Sequence, residues 1–110
     1  MKTPRDWIAE EYRMNLRSAI RYLKTLNIYT IKNNAYPFLK GKPNNTVGHL
    51  AKATGYTKYV NGKSIYFHLE DSLGLGLDEI MYLNIQRDPK KIIEYLEKVY
   101  KEIKDSETVL

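Results

Sequence analysis

The strongest constraint on the fold lies at the start of the chain. Ile8, Tyr12, Leu16, Ala19, Leu23 and Leu26 recur at spacings of three and four. That period is helical, and it draws one apolar stripe along a helix spanning 3–26. Thr3 is placed to cap this helix, Pro4 to occupy its first turn, Asp6 to meet its positive end, and Asn27 to stop it. In a chain of 110 residues, which allows one domain with one core, the remaining elements must cover that stripe.

A second seam stands at the other end. Asp88-Pro89 starts a helix running to about Lys104, and Ile92, Leu96, Val99 and Ile103 are four, three and four apart along it. Glu94–Lys98 and Glu97–Lys101 are favourable pairs one turn apart. The seam can close on the first helix of its own chain or pair two chains, so a homodimer through residues 89–104 is one expectation. Residues 105–110 are expected to fray.

Between the two helices the sequence alternates strand-like and turn-like pieces. Ile28–Ile31 is β-branched and aromatic and predicts a strand. Asn33-Asn34 predicts a turn, and Pro37 limits Ala35–Leu39 to an edge strand or an irregular turn. Gly41–Asn45 predicts a loop, and Thr46–Thr54 a short helix capped by Asn45 or Thr46 and ended by Gly55. Gly48 weakens that helix by roughly 1 kcal/mol relative to Ala. Asn61-Gly62, between two β-prone runs, predicts a type I′ hairpin over Tyr56–Leu69. Glu70–Ser72 reads as a linker, the leucines of 73–77 as a buried turn, and Asp78 to about Asn84 as a helix.

The fold class is therefore α+β: a long N-terminal helix, a short helix followed by a β-hairpin, and a C-terminal helix. In that order the short helix and hairpin are winged-helix-like. The competing topology is an α-β-β-α-β-β-α sheet, which would offer Tyr29, Tyr36, Tyr59 and Tyr66 as exposed stacking surfaces. Most of these tyrosines are expected to pack their rings instead. One domain is expected over 1–110, with a basic part over 1–69, a helical support over 70–104 and a tail over 105–110.

Charge is distributed unevenly. From residue 12 to residue 69 there are ten bases and neither Asp nor Glu. Residues 1–66 carry 12 Lys and Arg against 3 Asp and Glu, whereas residues 67–110 carry 6 against 10. A one-sign surface of this length points to a polyanionic partner. Four of the bases, Arg13, Arg17, Arg21 and Lys24, fall within about 80° of one another around the first helix. Their repulsion would be relieved by an anionic ligand or, more simply, by solvent and the helix dipole.

The expected partner is nucleic acid, with DNA favoured over RNA and the duplex over the single strand. The expected role is that of a cytoplasmic, nucleoid-associated regulator of transcription or an architectural protein. Phosphate contacts are expected from Arg13, Arg17, Arg21, Lys24, Lys42, Lys58 and Lys63, and groove contacts from Asn45, Thr46, His49 and Lys52. Two other classes fit the same residues. One is an interaction or inhibitor module that docks its basic face on an acidic protein surface. The other is a small metal-dependent nuclease built on Glu70 and Asp71. No cysteine is present, and His49 and His68 lie in no metal-spacing motif, so no cofactor or metal is expected and catalysis is not the leading expectation. No apolar run is long enough for a membrane span.

Overall fold

The structure is a computed structural model that describes the backbone of residues 4–56 and 64–108 and the side chains of residues 9–56 and 64–103. The described elements are α1 (Pro4–Leu23), β1 (Phe38–Leu39), β2 (Lys42–Pro43), α2 (Thr46–Ala53), α3 (Ile65–Leu73), α4 (Leu77–Asn84) and α5 (Pro89–Thr108). It is a small α+β fold, as the sequence implies. The most extensive helix contact is between α1 and α5. The apolar seam of α5 is turned inward, with Ile92 and Leu96 fully buried beside Leu16, Ala19 and Leu23 of α1. Each of the leucine and isoleucine side chains contributes about 1.5–3 kcal/mol on leaving water. Within the chain this seam packs on α1.

The other flank of α1 meets α2 and α3. Asn15 Nδ2 donates to the Ser72 carbonyl at 2.8 Å, and the Tyr22 hydroxyl hydrogen-bonds His49 Nδ1 at 2.9 Å. α4 then packs against α2 and α3. Leu50, Leu69, Leu73, Ile80 and Leu83 fill the centre of this cluster.

Helix ends follow local chemistry. Asn45 caps α2 by accepting from the Gly48 N–H at 3.0 Å, and Asp88 accepts from the Lys90 N–H at 3.0 Å at the start of α5. α3 ends at Gly74, whose φ of 70° is the left-handed conformation that suits glycine. Leu75 is buried in the turn that follows. α1 ends at Leu23 rather than near Leu26, and α5 runs on to Thr108 instead of fraying at 105.

Three expectations are corrected. Ile28–Ile31 is a turn, not a strand. Asn27 Oδ1 accepts from the Tyr29 N–H at 2.9 Å and the Thr30 hydroxyl at 3.1 Å, and this side chain wins over β propensity.

The second half of the expected Tyr56–Leu69 hairpin is helix α3. Ile65, Leu69 and Leu73 also sit four apart, and the helical period buries Leu69 and Leu73 while leaving Phe67 exposed. Ser64 caps the helix through the Tyr66 N–H. Glu70–Ser72, read as a linker, lies inside it. The wing-like arrangement therefore does not form from these residues, and Asn61-Gly62 lies outside the described ones.

The third correction concerns the described hairpin, which lies earlier in the chain. β1 and β2 pair antiparallel with Phe38 opposite Pro43 and Leu39 opposite Lys42, where the sequence reads a loop from Gly41. Lys40 and Gly41 form its turn with φ of 52° and 77°. Two consecutive left-handed residues match the type I′ pattern. The Phe38 ring stacks on Tyr56, and Tyr56 meets the His68 ring of α3, so the hairpin rests on the helical body.

Candidate nucleic-acid interface

The segment between α1 and α2 is long but ordered by asparagines. The Asn44 carbonyl accepts from the Lys32 N–H at 2.8 Å, while Asn44 Nδ2 donates to Asn34 Oδ1 at 2.6 Å and to the Tyr36 carbonyl at 2.8 Å. Asn45 Nδ2 donates to the Asn34 carbonyl at 3.0 Å. Asn44 and Asn45 are buried, so their amides fix the segment from inside. Gly48 lets the Pro37 carbonyl lie directly against α2. Tyr29 and Tyr36 remain outside, 80% and 62% exposed. Lys32, Lys40 and Lys42 of the same segment are also exposed, and Lys32 Nζ donates to the Tyr29 carbonyl.

The predicted site residues do not share one face. Arg17 is exposed and lies over the Tyr100 ring of α5, 5.5 Å from its centroid. Tyr22, five residues along α1 and about 140° around it, instead faces His49 of α2. Lys52 is close enough to influence His49, so it belongs to that second flank. Arg21 and Lys24 are exposed at the end of α1, and Arg13 is half-buried. Lys42 is exposed on β2. Lys58 and Lys63 lie outside the described residues.

The groove-facing assignment of α2 is overturned for three residues. Asn45, Thr46 and His49 are buried. Asn45 is committed to the cap and to Asn34. Thr46 donates its hydroxyl to the Gln86 carbonyl at 2.6 Å, and the Val47 N–H donates to Asn84 Oδ1. The end of α2 expected to approach bases is therefore covered by residues 84–86. His49 is held at Nδ1 by Tyr22, and its Nε2 is buried. Burial pushes its pKa below the ordinary value; the Thr30 main chain opposes this, and the Lys52 charge adds to the lowering.

Other polar clusters are structural in geometry. His68 Nε2 contacts the Thr54 and Ser72 hydroxyls at 2.8 and 3.4 Å. Tyr95 donates to Glu79, which also accepts from the Gly76 N–H. Burial, then the carboxylate, pushes the Tyr95 pKa up to about 12. Glu70 and Asp71 sit in α3, one half-buried and one exposed. Among the described residues no three His, Cys, Asp or Glu side chains converge as a metal site would require, and no helix is long and apolar enough to cross a membrane.

Lys32 and Lys40 are absent from the contacts the sequence predicts, and Tyr29 and Tyr36, stacking surfaces only in the competing sheet topology and otherwise expected to pack their rings, are exposed. The available signal was the density of asparagine at 27, 33, 34, 44 and 45, which marks a segment held by side-chain amides rather than a sheet. Comparison with protein-family models, curated proteins and solved structures finds no match to this chain.

Proposed function

We propose that the protein binds nucleic acid through the basic segment that joins α1 to α2 and the adjoining end of α1. The observation that carries the reading is the exposure of Lys24, Lys32, Lys40 and Lys42 within a stretch that holds no acidic residue from 12 to 69. Such a surface attracts phosphates and releases their counterions. On this reading the protein works in the cytoplasm on DNA, and its contacts are to backbone more than to base edges, since the start of α2 is covered. A regulatory or architectural role remains the expectation, without sequence readout by α2.

The test is binding to random-sequence DNA, as duplex and as single strand, across a salt series. Affinity should fall log–log, with a slope of about −0.9 per phosphate on duplex and about −0.7 on single strand. Lys40→Ala with Lys42→Ala should flatten the slope by about 1.8 if duplex binds and by about 1.4 if single strand binds. No binding to either form at about 50 mM salt overturns the reading.

A second reading, a protein-docking module, is supported by one feature. Leu77, Met81 and Ile85 are spaced four apart along α4 and its end, and all three are exposed. An apolar row of this kind suits a partner protein. Its test is capture of a defined protein after nuclease treatment, lost in Met81→Asp.

A further inference from the structure

We infer that the segment joining α1 to α2 is a single-strand platform, on which Tyr29 and Tyr36 stack bases while Lys32, Lys40 and Lys42 hold phosphates. The inference rests on the nucleic-acid reading above and narrows it to unpaired strands.

Four observations lead there. First, Tyr29 and Tyr36 show most of their surface to solvent, although a tyrosine beside a core ordinarily packs its ring. Second, both lie on an ordered backbone. The Tyr29 N–H is held by Asn27, the Tyr36 N–H by Asn34 and the Tyr36 carbonyl by Asn44. Asn44 also receives the Lys32 N–H, so one buried side chain and its carbonyl tie a lysine to an aromatic. A platform that is already ordered loses little entropy when a base stacks on it.

Third, the cations lie on the same segment as the two tyrosines. Lys32 Nζ reaches the Tyr29 carbonyl at 2.9 Å, and Lys40 lies in the β1–β2 turn with Lys42 directly after it. No carboxylate interrupts the stretch. Fourth, duplex readout has lost its instrument. The N-terminal end of α2 is covered by Asn84 and Gln86, whereas a groove-reading helix needs that end free. Unpaired bases expose a π-face to any ring beside them, and stacking of this kind tolerates every base.

The experiment compares three labelled probes by fluorescence anisotropy at one salt level. They are a 20-nucleotide random single-stranded DNA, its duplex, and heparin. The wild-type protein is expected to prefer the single strand. Tyr29→Ala and Tyr36→Ala should each weaken the single strand by about five- to a hundredfold, with heparin binding unchanged. Tyr29→Phe and Tyr36→Phe should retain the affinity, because the ring stacks without its hydroxyl. Circular dichroism of each variant checks the fold, which these exposed side chains leave intact. A duplex preference, or equal loss on heparin and single strand, overturns the platform and leaves the nucleic-acid reading standing. Absence of binding to both DNA forms overturns both.

Discussion

A Cβ atom at Gly48 would lie 1.7 Å from the Pro37 carbonyl oxygen. The two residues belong to different structures, a helix and the loop beneath it, and they touch through main chain alone. Neither atom can swing away as a side chain would. Gly48→Ala therefore has to separate α2 from the loop, despite alanine's higher helix propensity. The expected loss is about 3 kcal/mol, read as a lowered denaturant midpoint. A gain in stability would show that the loop yields freely.

Asn45→Ala removes the cap of α2 and the donor to the Asn34 carbonyl together. A loss of about 2 kcal/mol is expected from chemical denaturation. Asn45→Asp restores the cap acceptor but sets a carboxylate against the Asn34 carbonyl, so it should fail to rescue. Recovery in Asp would show that the cap alone matters.

His49 predicts a pH dependence. Its pKa is lowered in the folded state, chiefly by burial, from about 6.5 in the unfolded chain. The unfolded state then binds the proton more readily. Stability from this group is full above about pH 6.5 and declines as pH falls through the folded value. Denaturation at pH 7.5 and pH 5 should show the decline, and His49→Gln should flatten it. An identical decline in that variant would assign the effect elsewhere.

Tyr95 titrates at the other extreme. Its pKa, pushed up to about 12 by burial and then by the Glu79 carboxylate, should give a late phase in ultraviolet titration. Tyr95→Phe removes that phase. Glu79→Gln should shift it downward, since the charge is lost while an acceptor is kept. The raised value means that this group's stabilisation is complete below about pH 10 and is lost as pH rises toward 12.

The helices were legible where one period dominated. The stripe on α1, the Asp88-Pro89 start and the Ile92–Ile103 seam are helical by spacing, with no competing pattern. Ile65–Leu69 fits both a two-residue and a four-residue period, and only Leu73 decides between them, because it joins the core in the helix. Ile28–Ile31 carries strand propensity, but Asn27 ties the chain into a turn before any partner strand is available. The candidate site was partly legible. Acid depletion singled out the segment now proposed as the candidate site, whereas the sorting of residues into exposed and buried did not follow from type. Asn45, Thr46 and His49 are polar yet interior because Asn34, Gln86 and Tyr22 hydrogen-bond them from distant parts of the chain. Tyr29 and Tyr36 are aromatic yet outside because the asparagines hold their backbone there.

The turn between β1 and β2 sets two properties of one residue against each other. Lys40 stands at φ 52°, a conformation that asparagine and glycine adopt more easily than lysine. Lys40→Asn should therefore raise the melting temperature while removing a positive charge from the edge of the platform. Thermal stability and affinity would then move in opposite directions in a single variant. A stabler protein with unaltered DNA affinity would mark this lysine as a bystander. A stabler protein that binds less well would mean that the position carries local strain for the sake of its ligand.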